Sequence, residues 1–416
     1  MGKLAIFGGE PVRQKPLPTI NNKSGRNIGD EELELLKKVI ETGSLFRHSG
    51  TMVSSFEKEF AEFLGVKYAV ASTSGTAALH IATGAAGIGP GVEVITSPIT
   101  DMGTIISILG QNAIPVFADI DPETYNLDPE SVRERISDKT RAIIVVHLFG
   151  LPADMDSLME VAEEKGLIVI EDCAQAYLAE YKGKLVGTIG DIGCFSLQQS
   201  KHMFTGDGGI TVTNNEEFAG KAKLFMDKGW DRSIAGPRAY VMLGFNYRMT
   251  ELQGAVARAQ LKKVRWVVER RRKVAASLTK RLSEIEGVET PKIPDGYKHS
   301  YWLYPLKIDI EMFNVSLAEI VRALSAEGIP AGAGYVGKPI YLAPIFLEKR
   351  GYGGTKCPWI CPLYGRDIVY REGLCPNAER ILKQLVTLPC NEYFTEEDVE
   401  DIAKAVEKVL NYYRRK

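Results

Sequence analysis

The chain has 416 residues, of which 45% are hydrophobic and 25% are charged, so it can bury a sizeable core and divide into about two domains. Its 51 basic and 53 acidic residues leave a net charge of −2, which argues against nucleic acid or an anionic membrane as a partner. The sequence has neither an apolar run long enough to span a membrane nor the apolar core of a signal peptide, so we expect a cytoplasmic protein.

Between about residues 30 and 215, short β-rich runs alternate with amphipathic helical patterns. This alternation predicts an α/β fold in which helices cover the faces of one wide sheet. The predicted strands are Tyr68 to Ser72, Val92 to Ser97, Ala113 to Ala118, Arg141 to His147, Leu167 to Glu171, Asp191 to Ser196 and Gly209 to Thr213. The predicted helices are Glu31 to Glu41, Phe56 to Leu64, Thr76 to Ala86 and Met155 to Lys165.

A long helical stretch from Thr250 to about Ile285 predicts the connection to a second domain. Its basic run, Glu269 to Lys273, is a candidate partner surface, although a solvated helix face is the favoured interpretation. Further on we expect a strand at residues 301–308, a helix from Ser316 and a last helix. The last helix begins with a capping box, Thr395 to Asp398, whose side chains satisfy free backbone amides.

We therefore predict an N-terminal segment (1–29), a large α/β domain (30–263) and a smaller α+β C-terminal domain (264–416). The stretch 333–376 is rich in Gly, Pro and Cys and has little periodicity, which is typical of a functional or mobile insertion. Four cysteines could be read as zinc ligands, but their irregular spacing favours loop or core cysteines. They are Cys357, Cys361, Cys375 and Cys390.

One apolar run, Leu167 to Ala176, ends on a carboxylate, Asp172. Ligands of open α/β sheets lie beyond the carboxyl ends of the strands. Pyridoxal phosphate needs an acid there, because a charge-assisted hydrogen bond keeps its ring nitrogen protonated. An Asp that only caps the following turn would explain the same residue equally well.

Lys201 follows another predicted strand and precedes a glycine turn at residues 206–209. Such a lysine can bind the cofactor aldehyde as a Schiff base and, once displaced, move a proton as a free amine. A surface lysine is the simpler reading of this residue taken alone.

Ser74, Gly75 and Thr76 lie where a predicted strand passes into a helix. Their hydroxyls and backbone amides at the positive end of that helix would suit a phosphate group. An ordinary helix N-cap explains the same residues.

In this order, these elements resemble the DegT/DnrJ/StrS type of nucleotide-sugar and cyclitol aminotransferases. The resemblance extends to about residue 330 and rests on several ordered motifs. They are Gly8 to Pro11, Phe56 to Phe60, Ser74 to Leu79, His147 to Asp156, Glu171 to Ala176, the Lys201 segment, Gly244 to Met249 and Glu251 to Gly254.

The resemblance implies a fold-type-I enzyme with a mainly parallel seven-stranded sheet. It implies an amino donor such as glutamate or glutamine, a keto-sugar or cyclitol acceptor, and pyridoxamine 5'-phosphate between the two half-reactions. Lys201 would then hold pyridoxal 5'-phosphate, Asp172 would contact the ring nitrogen and Gln175 the phenolic oxygen. Gly75, Thr76 and Ser196 would bind the phosphate, with Asn246 supplied by the other subunit of a homodimer.

Two alternatives stay open at the level of the sequence. Related sugar dehydratases carry histidine at the lysine position, six residues before the acid of the glycine turn. Here Lys201 lies six residues before Asp207 and His202 follows it, which favours transamination. A non-catalytic regulatory homologue is the other alternative, but the chain has no basic DNA-reading helix.

The chain departs from the family pattern where an aromatic residue usually stacks on the cofactor ring. It has Asp101 and Met102 there, so either Met102 covers the ring or the local register differs. His147 and His299 lie at the edges of motifs, and a structural role is favoured for both.

Overall fold

The computed structural model describes residues 3–414. The outermost two residues of the predicted N-terminal segment and of the predicted C-terminal domain therefore lie outside the described residues. The α-helices are α1 (Asp30–Thr42), α2 (Met52–Leu64), α3 (Gly75–Ala85), α4 (Met102–Leu109), α5 (Pro129–Arg135), α6 (Met155–Lys165), α7 (Glu216–Met226), α8 (Glu251–Leu282), α9 (Leu317–Ala326), α10 (Pro344–Leu347), α11 (Pro376–Ile381) and α12 (Glu396–Tyr413). The strands are β1 (Tyr68–Ser72), β2 (Glu93–Thr96), β3 (Ile114–Phe117), β4 (Thr140–Val146), β5 (Ile168–Asp172), β6 (Glu180–Tyr181), β7 (Lys184–Leu185), β8 (Ile192–Ser196), β9 (Gly209–Thr213), β10 (Trp230–Asp231), β11 (Ala239–Tyr240), β12 (Val288–Glu289), β13 (Tyr297–Lys298), β14 (Leu303–Ile308), β15 (Gly332–Ala333) and β16 (Leu385–Pro389).

Seven strands form one central sheet in the order β1-β9-β8-β5-β4-β2-β3. All neighbours from β8 to β3 are parallel, whereas β9 runs antiparallel to β1 and β8. Strands such as β4 and β5 are almost continuously apolar, because helices bury both faces of a parallel sheet. The sheet contains every strand predicted between residues 68 and 213, and it confirms the α/β class.

The four predicted helices of the large domain are present as α1, α2, α3 and α6. Three more, α4, α5 and α7, were not predicted. Helix α4 is composed almost wholly of apolar and small residues and is largely buried, so it lacks the alternation of polar and apolar faces that marks an amphipathic helix. Among the described residues, no helix combines the length and the apolarity needed to cross a membrane.

The C-terminal part is built on a second, four-stranded antiparallel sheet in the order β12-β14-β16-β15. The long helix α8 leads into it, and α9 and α12 pack with that helix around one hydrophobic cluster. Leu4 and Leu17 from the N-terminal segment are buried in the same cluster. The expected capping box at Thr395 is present, and Ser316, at the predicted start of α9, forms another.

The basic run at residues 269–273 is only in part the solvated helix face that the sequence favoured, since Glu269 and Lys273 are exposed but the three arginines between them are not. Arg271 is buried and pairs with Glu392, with 2.8 Å between Nε and Oε2. Arg272 donates hydrogen bonds to the carbonyl oxygens of His299 and Leu178. The run therefore fastens α8 to neighbouring loops, because buried guanidinium groups need several acceptors.

The segment 333–376 lies along the β3 edge of the central sheet. The Tyr370 hydroxyl donates to the carbonyl of Pro115 over 2.7 Å, and that of Tyr364 donates to Glu93 over 2.7 Å. Phe117 of β3 packs against aromatic rings of the segment, including Phe346. The segment thus covers a strand edge that would otherwise offer free backbone groups.

The four cysteines considered as zinc ligands lie in different surroundings. Cys375 is buried in the cluster around Phe117, and Cys390 in the cluster of the C-terminal sheet. Cys357 and Cys361 are partly exposed in the segment 333–376.

Candidate active site

A cavity of about 400 Å³ opens at the carboxyl ends of β5 and β8, beside the N-termini of α3 and α4. The strand ends and helix starts converge there because the parallel strands all end at one edge of the sheet, and each following helix begins at that edge and runs back antiparallel to its strand. The cavity brings together seven of the nine residues predicted for the site. They are Ser74, Gly75, Thr76, Asp172, Gln175, Ser196 and Lys201.

Asp172 is the last residue of β5, and only 5% of its surface is exposed. Its Oδ2 accepts a hydrogen bond from Thr104 Oγ1 at 2.8 Å, and its Oδ1 accepts one from the Ala174 amide at 3.1 Å. Burial raises the pKa of Asp172 above its usual range, and the Thr104 hydrogen bond opposes that rise. A cationic group in the cavity would favour the ionised carboxylate.

Lys201 lies in the turn between β8 and β9. The Leu197 amide donates to the Gly208 carbonyl over 2.8 Å, and the Gln199 amide to the Gly206 carbonyl over 2.7 Å, so the turn has a fixed shape. Burial lowers the pKa of Lys201 to about 8, although the charges of Asp172 and Asp101 act in the opposite direction. A fraction of the amine is therefore neutral and nucleophilic near neutral pH.

The start of α3 lies against the end of β8. Ser74 is the N-cap, and its side chain accepts a hydrogen bond from the Ala77 amide over 3.0 Å. A Cβ added to Gly75 would lie 2.6 Å from Cβ of Ser196, so only glycine permits this approach. The first-turn amides, which have no partner within the helix, and the Thr76 and Ser196 hydroxyls suit an anion.

Gln175 is held by two hydrogen bonds at the cavity wall. Its Oε1 accepts from the Phe149 amide over 2.7 Å, and its Nε2 donates to the Tyr335 hydroxyl over 3.0 Å. One amide hydrogen of Nε2 is left to donate to a ligand.

Two predicted residues do not line the cavity. Met102 packs against the cluster around Ile99 and Phe117, while its neighbour Asp101 lines the cavity wall. Asn246 is exposed, and its backbone forms a bridge with Asp227.

The two histidines at the motif edges serve the structure. His147 accepts a hydrogen bond from the Ala153 amide and faces Glu171 across 3.0 Å. Although His147, Glu171 and Cys173 lie within 4.8 Å of one another, both ring nitrogens of His147 are engaged. His299 stacks on Tyr301, and burial lowers its pKa to about 3.

Among the cavity-lining residues that were not predicted, three contact predicted site residues: Thr104, Trp302 and Tyr335. Thr104 is an inconspicuous hydroxyl in the helix that the sequence did not reveal. Trp302 lies three residues after His299, and that histidine at a motif edge was the nearest feature of the sequence that pointed to this part of the site. Tyr335 comes from the segment 333–376, whose irregular sequence gives no sign of which side chain reaches the cavity.

The mainly parallel sheet, with an acid and a lysine at adjacent strand ends and a phosphate-compatible helix start, defines a transferase of fold type I. Residues 26–360 match the model of the DegT/DnrJ/EryC1/StrS aminotransferase family. The chain belongs to this family, whose members are pyridoxal-phosphate-dependent aminotransferases.

The chain is similar to individual members over nearly its whole length. It is 35% identical over 391 residues to the spore coat polysaccharide biosynthesis protein SpsC of Bacillus subtilis (92% of this chain, 95% of the relative). It is also 35% identical over 416 residues to a putative L-glutamine:3-amino-2,3-dideoxy-scyllo-inosose aminotransferase of Micromonospora echinospora (98% and 97%). The crystal structure of an aminotransferase from Psychrobacter cryohalolentis superposes with a TM-score of 0.84 at 30% identity, covering 93% of this chain and 98% of that one.

Proposed function

We propose that this chain moves an amino group from glutamate or glutamine to the ketone of a sugar, including nucleotide-linked sugars, or of a cyclitol. One observation carries the proposal: Asp172, Lys201 and the start of α3 line the same cavity. The relatives named for polysaccharide biosynthesis and for an inosose aminotransferase support this acceptor class.

The side chains of the cavity fit pyridoxal 5'-phosphate. Lys201 would hold the cofactor covalently, and Asp172 would keep its ring nitrogen protonated. Gly75, Thr76 and Ser196 would bind the phosphate with the capping residue Ser74. The remaining Nε2 hydrogen of Gln175 would donate to the phenolic oxygen.

The cofactor, when bound, supplies the aldehyde that takes up the amino group and the ring that withdraws electrons from the donor carbon. The protein contributes orientation and proton transfer. Because the pKa of Lys201 is lowered to about 8, its free amine can accept a proton from the donor carbon and return one at the acceptor carbon.

We also propose that two copies of the chain form a homodimer in which Asn246 reaches the partner's cavity. Asn246 is exposed, and its segment carries exposed apolar residues, including Val241 and Leu243, which is 79% exposed. Contiguous exposed apolar residues mark contact surfaces.

A donor and acceptor screen tests the function. Purified protein loaded with pyridoxal phosphate is mixed with glutamate, glutamine or other amino acids, and loss of the visible cofactor absorbance identifies the donor. Keto-sugars and keto-cyclitols are then added, and the molecular mass of the product is determined by mass spectrometry. We expect the acceptor to gain an amino group; loss of water instead, or no change in absorbance with any donor, would contradict the proposal. Lys201→Ala is the matched control.

A further inference from the structure

The amine of Lys201 lies over an aromatic face. Its Nζ is 3.9 Å from the centroid of the Trp302 ring. Within residues 3–414 this amine forms no ion pair and no hydrogen bond, and the indole face is the π system over which it lies. A cation over an indole face is attracted by the ring quadrupole, and the attraction grows when both groups are shielded from water.

Trp302 is fixed from several directions. Its Nε1 donates to the carbonyl of Ser200, the residue before the lysine, over 2.9 Å. Its amide donates to the Phe149 carbonyl over 2.8 Å. Its ring meets that of Tyr335 edge to face, with centroids 5.8 Å apart and planes at 86°. The indole therefore has little freedom to leave Lys201.

The residue before Trp302, Tyr301, has a strained backbone conformation. Tyr301 has a φ of 53°, a left-handed conformation that is costly for a bulky residue. It is held by stacking on His299, with ring centroids 3.8 Å apart, and by its amide donating to His299 Nδ1 over 2.9 Å. Strain of this kind persists where the surrounding contacts over-determine it, and here it precedes the residue that meets Lys201.

We propose that Trp302 is a positioning residue for Lys201, whose ammonium it holds in the cavity whenever the amine is not bonded to the cofactor. The inference rests on the proposed role of Lys201. Three carboxylates share the cavity with this amine, Asp172 from the end of β5, Asp101 at the start of α4 and Asp207 in the glycine turn, and the charges of Asp172 and Asp101 favour its cationic form. His202 next to it is buried and neutral, since burial lowers its pKa well below the usual value.

The test measures the amine itself, without turnover. The full chain is freed of cofactor, and Lys201 is labelled with acetic anhydride across a pH series, its modification being read by peptide mass spectrometry. Fluorinated tryptophans placed at position 302 keep the shape and the N–H of the ring while weakening its quadrupole. We expect the labelling midpoint to fall stepwise as fluorines are added, and by roughly half to one and a half pH units in Trp302→Leu.

Trp302→Phe keeps an aromatic face and should give a midpoint between those of the wild type and Trp302→Leu. If Trp302→Leu does not fold, the fluorinated series and Trp302→Phe decide the matter. Trp266→Leu, which changes a half-exposed tryptophan outside the cavity, should leave the midpoint unchanged. If the midpoint of Lys201 labelling does not change on fluorination, the inference is wrong, and Trp302 lines the cavity without holding the ammonium group. Failure of the proposed function is separate, because it would appear as no covalent capture of pyridoxal phosphate by Lys201.

Discussion

Gln175 Nε2 donates a hydrogen bond to the hydroxyl of Tyr335 across 3.0 Å, and this contact joins the loop after β5 to the segment 333–376. Tyr335 lies 160 residues further along the chain. The segment therefore helps to orient a residue that we expect to touch the cofactor.

Replacing Tyr335 by Phe removes this hydrogen bond and leaves the ring. A hydrogen bond of this kind contributes about 1 kcal/mol, so we expect the apo-protein to bind pyridoxal phosphate about five-fold more weakly. Titration with the cofactor, followed by protein fluorescence, measures the change. Tyr352→Phe alters a tyrosine that is 67% exposed and should bind as the wild type does; equal affinities in both variants would contradict the role of Tyr335.

Asp172→Asn should slow the donor half-reaction about ten- to a hundred-fold, because it removes a charge-assisted hydrogen bond of about 1.5–3 kcal/mol. Rapid-mixing absorbance measures that rate. Asp207→Asn removes another carboxylate that lines the cavity and should have a much smaller effect. If the donor half-reaction is slowed equally in the two variants, the lower rate results from the change in overall charge and not from the loss of a contact at Asp172.

Thr104→Val tests how the ionisation of Asp172 is set. The Thr104 hydrogen bond lowers the pKa of Asp172 against the effect of burial, so its removal raises that pKa further. We expect the acidic limb of the rate profile of the donor half-reaction to move to higher pH. An unmoved acidic limb would show that another group controls it.

The pKa of Lys201, about 8 against an ordinary 10.5, predicts how capture of the cofactor depends on pH. Only the neutral amine attacks the aldehyde, so the capture rate should rise with pH and level off above about 8. Stopped-flow absorbance of apo-protein with pyridoxal phosphate measures it. The unfolded chain binds this proton more tightly than the folded one, so the contribution of Lys201 to the free energy of unfolding rises between pH 8 and 10.5. A rate that keeps rising up to pH 10.5, the ordinary pKa of a lysine, would contradict the shift.

Gly75→Ala should impair both stability and cofactor binding, since the added Cβ would lie 2.6 Å from Cβ of Ser196. Overpacking of this kind costs about 1–3 kcal/mol. Gly220→Ala is the matched control, because nothing lies within 4 Å of its added Cβ, and helix propensity predicts a gain of about 0.5–1 kcal/mol. Thermal unfolding and cofactor titration of both variants measure these changes. Equal stability and equal cofactor affinity in the two variants would contradict the prediction.

Mixed dimers test the proposed exchange of Asn246. Lys201→Ala and Asn246→Ala should each be inactive alone, but a mixed dimer places both lesions in one site and leaves the other site intact. Equal mixtures after exchange of subunits should regain about a quarter of the wild-type activity. No recovery, with exchange verified by differently tagged subunits, would place Asn246 in its own subunit's site.

Much of the central sheet was predictable, because its strands are short apolar runs separated by clear helical patterns. Asp172 and Lys201 could be placed because each follows such a strand. Helix α4 was not predicted, because an almost wholly apolar helix shows no alternation of polar and apolar faces. Thr104 lies in this helix and was therefore not assigned to the site. Tyr335 could not be found from local patterns, since tertiary packing alone decides which side chain of an irregular segment reaches the cavity. Trp302 lies at the start of a predicted strand, whose pattern does not tell which of its side chains lines a site. The inward turn of Arg271 depends in the same way on a distant partner, Glu392.

The covering of β3 by the segment 333–376 limits how the specificity of this protein can be redesigned. Grafting a shorter connection would uncover Phe117 and remove Tyr364 and Tyr370, so that Glu93 and the carbonyl of Pro115 would lose these hydrogen-bond donors. The exposed strand could then recruit a strand from another molecule and drive self-association. A workable chimera has to transplant the segment together with the side chains of β3 that it covers, so that the two act as one exchangeable module.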